Sequence, residues 1–82
     1  MTEQEIFDKV IAILKPYVKN RNALATASKE TNILEDLKVN SARLVDVILD
    51  FEDAFDIEVE DEDADTVNTV GDAIDLVESK VG

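Results

Sequence analysis

The 82-residue chain contains no cysteine, no histidine and no tryptophan. Without cysteine it can form no disulfide, no thiolate zinc site and no cysteine nucleophile. Without histidine it lacks the commonest general base and the commonest metal ligand, which excludes any Ser-His-Asp or Cys-His arrangement. Catalysis by this chain alone is therefore not expected, and a mechanism that uses only carboxylates is the one enzymatic route left open.

Glycine, proline and aromatic residues are also scarce, with two Gly, one Pro, three Phe and one Tyr. So few turn-forming residues favour helices over a many-stranded sheet. Hydrophobic residues nevertheless make up 45% of the chain, which is too much for a disordered acidic tail. We expect one domain over residues 1–82, with a modest and mainly aliphatic core.

Positive charge is the other scarce feature, because the net charge is −12. Residues 44–82 carry fourteen acidic side chains and one basic side chain, Lys80, whereas residues 1–43 carry six acidic and seven basic ones. Such a field repels nucleic acid and attracts basic partners. We therefore expect basic protein partners, no nucleic acid, and a monomer.

No apolar run approaches the length needed to cross a bilayer, so no membrane insertion is expected. Residues 1–5 are polar and acidic, which is the reverse of a secretory leader. The expected location is the cytoplasm.

Helical periodicity and capping signals predict four helices. The first opens with a capping box at residues 2–5, and Pro16 is expected to kink it or to end it early. The second covers residues 41–55, the short third residues 61–64, and a capping signature at residues 69–72 opens the last. The predicted fold is all-α, a small four-helix bundle with a short third helix and a long loop between helices one and two.

Apolar residues at helical spacing predict the core. They are Ile6, Val10, Ile13, Leu14 and Tyr17 in the first helix, Leu44, Val47, Ile48, Phe51 and Phe55 in the second, and Val70, Ala73, Ile74 and Val77 in the last. The loop over residues 19–40 is long enough that we expect it to pack through its own side chains. Its apolar residues are Leu24, Ile33, Leu34, Leu37 and Val39.

The second helix has a second apolar strip on the side away from the core, rimmed by carboxylates. The strip is Ala42, Val45 and Leu49, and the rim is Asp46, Glu52 and Asp53. A helix that only needs burial has no use for such a strip, so the pattern predicts a docking surface for an apolar and basic partner. The alternative is that Val45 or Leu49 packs beneath the loop, or is an isolated exposed residue.

Ser41 stands at the start of the second helix, and the simplest interpretation of Asn40 and Ser41 is a helix cap. The sequence around them resembles the acyl carrier protein family over essentially the whole chain, through residues 34–37, 40–41, 50–56, 57–59 and 67–74. The resemblance implies that Ser41 carries a 4'-phosphopantetheine arm. It further implies that a phosphopantetheinyl transferase attaches the arm from coenzyme A, and that the arm's thiol holds acyl groups as thioesters.

The chain departs from the family pattern beside that serine. The usual Asp-Ser-Leu is Asn40-Ser41-Ala42 here, Lys38 stands where glycine is usual, and Arg43 stands where an acid is common. Changes confined to the residues that partners contact alter specificity rather than fold. They predict a specialised carrier in fatty-acid, lipid or secondary-metabolite biosynthesis. The alternative is a degenerate, unmodified carrier that acts as an acidic protein-interaction adaptor.

The resemblance implies a carrier without enzymatic activity, whose partners are the transferase and acyl-transferring or acyl-elongating enzymes with basic docking surfaces. No metal site is expected, because an EF-hand loop starting at Asp56 would lack its glycine and its final glutamate. Loose binding of divalent ions by the clustered acids stays open. Ser41 is thus the predicted attachment site, and the predicted partner-recognition residues are Asn40, Ala42, Arg43, Val45, Asp46, Leu49, Glu52 and Asp53.

Overall fold

The computed structural model describes residues 2–81, which form five α-helices and two 3-10 turns without a regular β-strand. The helices are α1 (Glu3–Leu14), α2 (Arg21–Ala25), α3 (Leu44–Phe55), α4 (Asp61–Asp65) and α5 (Val70–Val81), and the 3-10 turns are Lys15–Tyr17 and Ser41–Arg43. The all-α prediction is confirmed. Three long helices and the short α4 match the four that were predicted, and α2 is an additional one.

Helix α1 begins at a capping box and ends beside a proline. The Thr2 hydroxyl accepts a hydrogen bond from the Glu5 N–H at 3.2 Å, as the capping box requires. Pro16 ends the α-helix early, since the chain passes at Leu14 into a 3-10 turn. The predicted core residues Ile6, Val10 and Leu14 are buried, whereas Ile13 and Tyr17 are only half-buried.

The loop between α1 and α3 is packed as predicted, and it contains the short helix α2. Ile33, Leu37 and Val39 are buried in the core. Helix α2 is a single capped stretch of five residues, in which the Asn20 side chain accepts a hydrogen bond from the Ala23 N–H at 3.3 Å. The sequence did not predict α2 because one short helix shows no apolar periodicity.

Backbone hydrogen bonds attach this loop to the start of α5. The Ile33 N–H donates to the Asn68 carbonyl and the Val70 N–H to the Thr31 carbonyl, each at 2.9 Å. The Gly71 N–H donates to the Lys29 carbonyl at 2.8 Å. The loop is therefore fixed against residues 68–71 along its second half.

The second predicted capping box lies at the start of α5, and both of its reciprocal hydrogen bonds are present. The Asp72 N–H donates to the Thr69 hydroxyl, and the Thr69 N–H donates to the Asp72 carboxylate, each at 3.1 Å. The Asn68 N–H donates to the same carboxylate at 3.1 Å. The free N–H groups at the beginning of α5 are thus satisfied locally.

The core between α1, α3 and α5 is aliphatic, apart from Phe51 and Phe55, whose ring centroids lie 6.4 Å apart. No polar or charged side chain is buried among residues 2–81, so the functional chemistry of this part of the chain lies at its surface. Within the same residues no helix is both long and apolar enough to cross a bilayer.

We predict that Gly71→Ala destabilises the protein, although alanine is the better helix former. An added Cβ would lie 2.9 Å from the Lys29 carbonyl oxygen, a backbone atom that cannot rotate away. The expected loss is about 1–3 kcal/mol of unfolding free energy, measured by urea denaturation. Ser79→Ala, at an exposed position of the same helix, is the control and should change stability little. A gain in stability for Gly71→Ala would show that the loop moves aside freely.

Candidate functional site

Ser41 is the first residue of the 3-10 turn that leads directly into α3. The cap predicted for this position is confirmed, and Asn40 supplies it, because its side-chain oxygen accepts a hydrogen bond from the Ala42 N–H at 2.9 Å. Ser41 is exposed, and its hydroxyl forms no hydrogen bond within residues 2–81. The division of labour between the two residues leaves the Ser41 hydroxyl available for chemistry.

The position of Ser41 also suits a phosphate ester. The 3-10 turn Ser41–Arg43 continues into the twelve-residue α3, so Ser41 lies at the positive end of a long helical segment. Helix N-termini stabilise negative groups through free N–H groups and the helix dipole. An exposed hydroxyl at this end can bear a phosphopantetheine arm, whose phosphate would lie near these N–H groups.

A cleft of about 490 Å³ opens beside Ser41, between α3 and α4. Its size lies within the usual range for small-molecule sites. Carboxylates stand at its edges, including Glu52 on α3 and Asp61 and Asp65 on α4. Its apolar lining consists of Leu34, Leu44, Val45, Ile48, Leu49, Val59, Ala64 and Val67.

The sequence singled out only one side of this cleft. Of the predicted partner-recognition residues, Val45, Leu49 and Glu52 line it together with the attachment residue Ser41, and the other five do not. Val59, Ala64 and Val67 on the opposite side were not assigned any role. A weak signal was present, since Ile57 and Val59 alternate with acids in the predicted connector. Only the position of α4 shows that Val59 faces α3 across a cleft.

The second apolar strip of α3 is exposed. Val45 is 66% and Leu49 53% accessible, and Ala42 is exposed as well. The alternative that Val45 or Leu49 packs beneath the long loop is therefore wrong. Glu52 is half-buried and Asp53 exposed, one turn further along the helix. The structure brings the predicted docking residues onto one face, and their role in recognition stays a prediction.

Two carboxylates of α3 are engaged by other side chains of the protein. Arg43 Nη1 lies 3.2 Å from Asp46 Oδ2, and the Tyr17 hydroxyl donates a hydrogen bond to Asp50 Oδ2 at 2.7 Å. The hydrogen bond to Asp50 raises the pKa of Tyr17, because ionisation would place two negative charges side by side. The sequence predicted Tyr17 only as a core residue, since nothing local connects it to a partner 33 positions away.

Helix α4 is connected to α5 by Lys80, the single basic residue after position 43. Lys80 Nζ lies 2.9 Å from Asp63 Oδ2. The hydrogen-bonded ion pair lowers the pKa of Asp63 and raises the pKa of Lys80. The ion pair thus joins α4, which lies along one side of the cleft, to α5.

Comparison with known proteins agrees with this arrangement. Residues 18–77 match the model of a family described as "Phosphopantetheine attachment site". The chain belongs to the acyl carrier protein family. It is 35% identical to the acyl carrier protein of Thermotoga maritima over 81 residues, which is 99% of this chain and 98% of the relative. It is 36% identical to that of Picosynechococcus sp. over 80 residues, or 96% and 95% of the two chains.

The fold is that of an acyl carrier protein as well. The solved structure of the acyl carrier protein from Enterococcus faecalis superposes with a TM-score of 0.78 at 33% identity, covering 96% of this chain and 98% of the other. The expectation of an acyl-carrier-type helical bundle is confirmed. The matched family model is that of a phosphopantetheine attachment site, so the protein carries covalent 4'-phosphopantetheine. Members of the acyl carrier protein family are carriers rather than enzymes, so the protein has no catalytic role of its own.

We predict that Lys80→Met loosens α4 at neutral pH and lowers the midpoint of chemical denaturation. The pKa of Asp63 is depressed in the folded state, so its contribution is complete above its ordinary value of 3.8 and is lost as pH falls through the folded-state value. The difference between native and variant proteins should therefore shrink in acid. The measurement is a pair of denaturation curves at neutral and acidic pH, and a difference that persists unchanged in acid would contradict the role of the ion pair.

Proposed function

We propose that residues 1–82 form one specialised carrier domain, in which Ser41 bears the phosphopantetheine arm and the cleft between α3 and α4 shelters the acyl cargo. The observation that carries the proposal is the unbonded hydroxyl of Ser41 at the mouth of an apolar cleft. A phosphate ester formed there would start at the positive end of α3 and have apolar surface within reach of its far end.

In this proposal the residues of the chain present the Ser41 hydroxyl and shelter the acyl group, and they do not act as catalysts. Asn40 holds the beginning of α3 in place, so that an incoming transferase meets the Ser41 hydroxyl in a fixed position. The base that removes the proton of this hydroxyl belongs to the transferase in this proposal, because no side chain within residues 2–81 is hydrogen-bonded to the hydroxyl and the chain has no histidine. The bound arm supplies the thiol that holds the acyl group as a thioester.

The cleft supports an aliphatic cargo. Eight apolar side chains line it, while its carboxylates stand at the edge. Aliphatic chains leave water favourably in proportion to the apolar area they bury. Val45 and Leu49 belong both to the cleft lining and to the docking strip, so a partner that docks on the strip would lie beside the sheltered chain.

Partner enzymes would meet the exposed strip of α3. Val45 and Leu49 offer apolar contacts, and Glu52 and Asp53 offer negative charge beside them. This combination suits acyl-transferring and acyl-elongating enzymes with an apolar socket and basic residues around it. A net charge of −12 disfavours self-association, which supports a monomer, and we assign the protein to cytoplasmic fatty-acid, lipid or secondary-metabolite biosynthesis.

The attachment of the arm can be tested by intact mass spectrometry. We expect incubation with coenzyme A and a broad-specificity phosphopantetheinyl transferase to add one phosphopantetheine to the native chain. Ser41→Ala should gain nothing, because it lacks the hydroxyl that attacks the diphosphate of coenzyme A, breaks its P–O–P bond and releases adenosine 3',5'-bisphosphate. Ser79→Ala, which keeps Ser41 and removes another exposed hydroxyl, is the matched control and should be modified like the native chain.

The outcomes separate the carrier from its alternative. Modification of Ser41→Ala would move the attachment site elsewhere. Absence of modification with every transferase tried, in a chain shown to be folded by circular dichroism, would favour the degenerate carrier that acts as an acidic adaptor. Partner binding that is unchanged in Ser41→Ala would then be the expected property of such an adaptor.

The sheltering role of the cleft can be tested by filling it. Ala64 lines the cleft from α4, so Ala64→Phe should occupy the space of the acyl chain. We expect faster cleavage of a medium-chain acyl thioester by hydroxylamine in this variant, since the thioester would spend more time in solvent. Ala54→Phe, an exposed α3 position outside the cleft, is the matched control. Equal cleavage rates in both variants and the native chain would remove the cleft from the proposal.

A further inference from the structure

Two basic residues lie close to Ser41 in the sequence, beside a cleft whose carboxylates come from α3 and from residues 60–65. Between residues 37 and 45 the only charged side chains are Lys38 and Arg43, and both residues are exposed. Asn40 caps the helix without contributing a charge. Arg43 is paired with Asp46, whereas Lys38 forms no ion pair within residues 2–81. An enzyme that approaches Ser41 therefore meets one unpaired cation and one ion pair before it meets an unengaged carboxylate of α3.

The backbone does not explain the presence of Lys38. This residue has φ of 59°, in the left-handed region, where a residue with a Cβ is disfavoured and glycine is favoured. A lysine here costs conformational energy relative to glycine. Its exposed ammonium group is the property that glycine could not provide.

The acidic residues of α3 are not equally available to a partner. Asp46 is paired with Arg43, and Asp50 accepts the hydrogen bond of Tyr17. Glu52 and Asp53 form no side-chain hydrogen bond or ion pair within residues 2–81. The unengaged carboxylates thus lie near the C-terminal end of α3, while the cations lie near Ser41.

These two charged regions act on different parts of a partner. Ten residues of α3, from Leu44 to Asp53, span about 15 Å at the usual helical rise. This separation exceeds the Debye length of about 8 Å at physiological ionic strength, so charges at one end are largely screened from the other. A docking surface that is basic along its whole length would match Glu52 and Asp53. Near Ser41 it would find Asp46 already neutralised by Arg43 and an unpaired cation at Lys38.

We propose that Lys38 and Arg43 are specificity-determining residues. They select partner enzymes that place a carboxylate beside the attachment serine and basic groups against Glu52 and Asp53, and they disfavour enzymes whose docking surface is basic throughout. This inference rests on the proposed function, because it requires Ser41 to be the point that partners approach. It adds the charge pattern of those partners, with an acidic group at one end of the apolar socket and basic groups at the other.

The first test uses a broad-specificity phosphopantetheinyl transferase whose docking surface is basic throughout, with coenzyme A as co-substrate. Arg43→Gln removes a cation and releases Asp46, so kcat/KM for modification of Ser41 should rise about threefold or more. Lys38→Gly should also raise it, while relieving the left-handed backbone. Arg21→Gln is the matched control, with the same charge change at an exposed position on α2. Arg21→Gln should raise kcat/KM by a clearly smaller factor than Arg43→Gln.

The second test changes the enzyme instead of the carrier. Each basic residue of the transferase docking surface is replaced in turn by glutamate. For at least one position near the transferase active site, we expect kcat/KM to rise with the native carrier and to fall with Arg43→Gln. That sign change identifies a contact with Arg43, which a general effect of net charge cannot produce.

The results separate the two proposals. No modification of any carrier form would contradict the proposed function itself. Modification with equal kcat/KM for Arg43→Gln and Arg21→Gln would leave Ser41 as the attachment site and overturn the inference about Arg43. A second outcome would also overturn the inference. If every charge reversal in the transferase lowers kcat/KM with the native carrier, then no carboxylate beside Ser41 is favoured.

Discussion

The placement of the site depends on the backbone hydrogen bonds between the long loop and the beginning of α5. The bonds from Ile33 to Asn68 and from Val70 to Thr31 fix the middle of the loop. From there Leu37 and Val39 enter the core, and the buried Val39 lies two residues before Ser41. The same bonds bring Leu34 and Asn68 to the edge of the cleft. Serine and cleft are therefore positioned together by one set of backbone contacts.

Because the interior of this protein is apolar, its charged side chains lie at the surface. Since no polar or charged side chain is buried within residues 2–81, the net charge of −12 is spread over the surface, where it opposes compaction. Two of the cations join elements: Lys80 reaches from α5 to Asp63 on α4, and Lys9 of α1 lies over the ring of Phe55 at 5.7 Å from its centroid. Arg43 differs from them, because it is paired within the docking face itself.

Reactivity and recognition are divided in this carrier. The chain contributes a free hydroxyl, an apolar cleft and a patterned surface, and its partners contribute the catalytic groups. Under such a division, selectivity lies in a few exposed side chains that differ between carriers of one fold. The pairing of Asp46 with Arg43 and of Asp50 with Tyr17 shows that an acid in the sequence is not always an acid offered to a partner.

The sequence by itself determined the elements that depend on neighbours three or four residues apart. Capping boxes and apolar periodicity gave the helices α1, α3 and α5 and most of the core, and helical geometry separated Val45 and Leu49 from the buried face. Only the tertiary structure decided that these two residues are exposed, that Tyr17 binds Asp50, and that Val59 and Ala64 complete a cleft beside Ser41. These features join residues distant in the chain, and no local pattern records which distant segments will pack together.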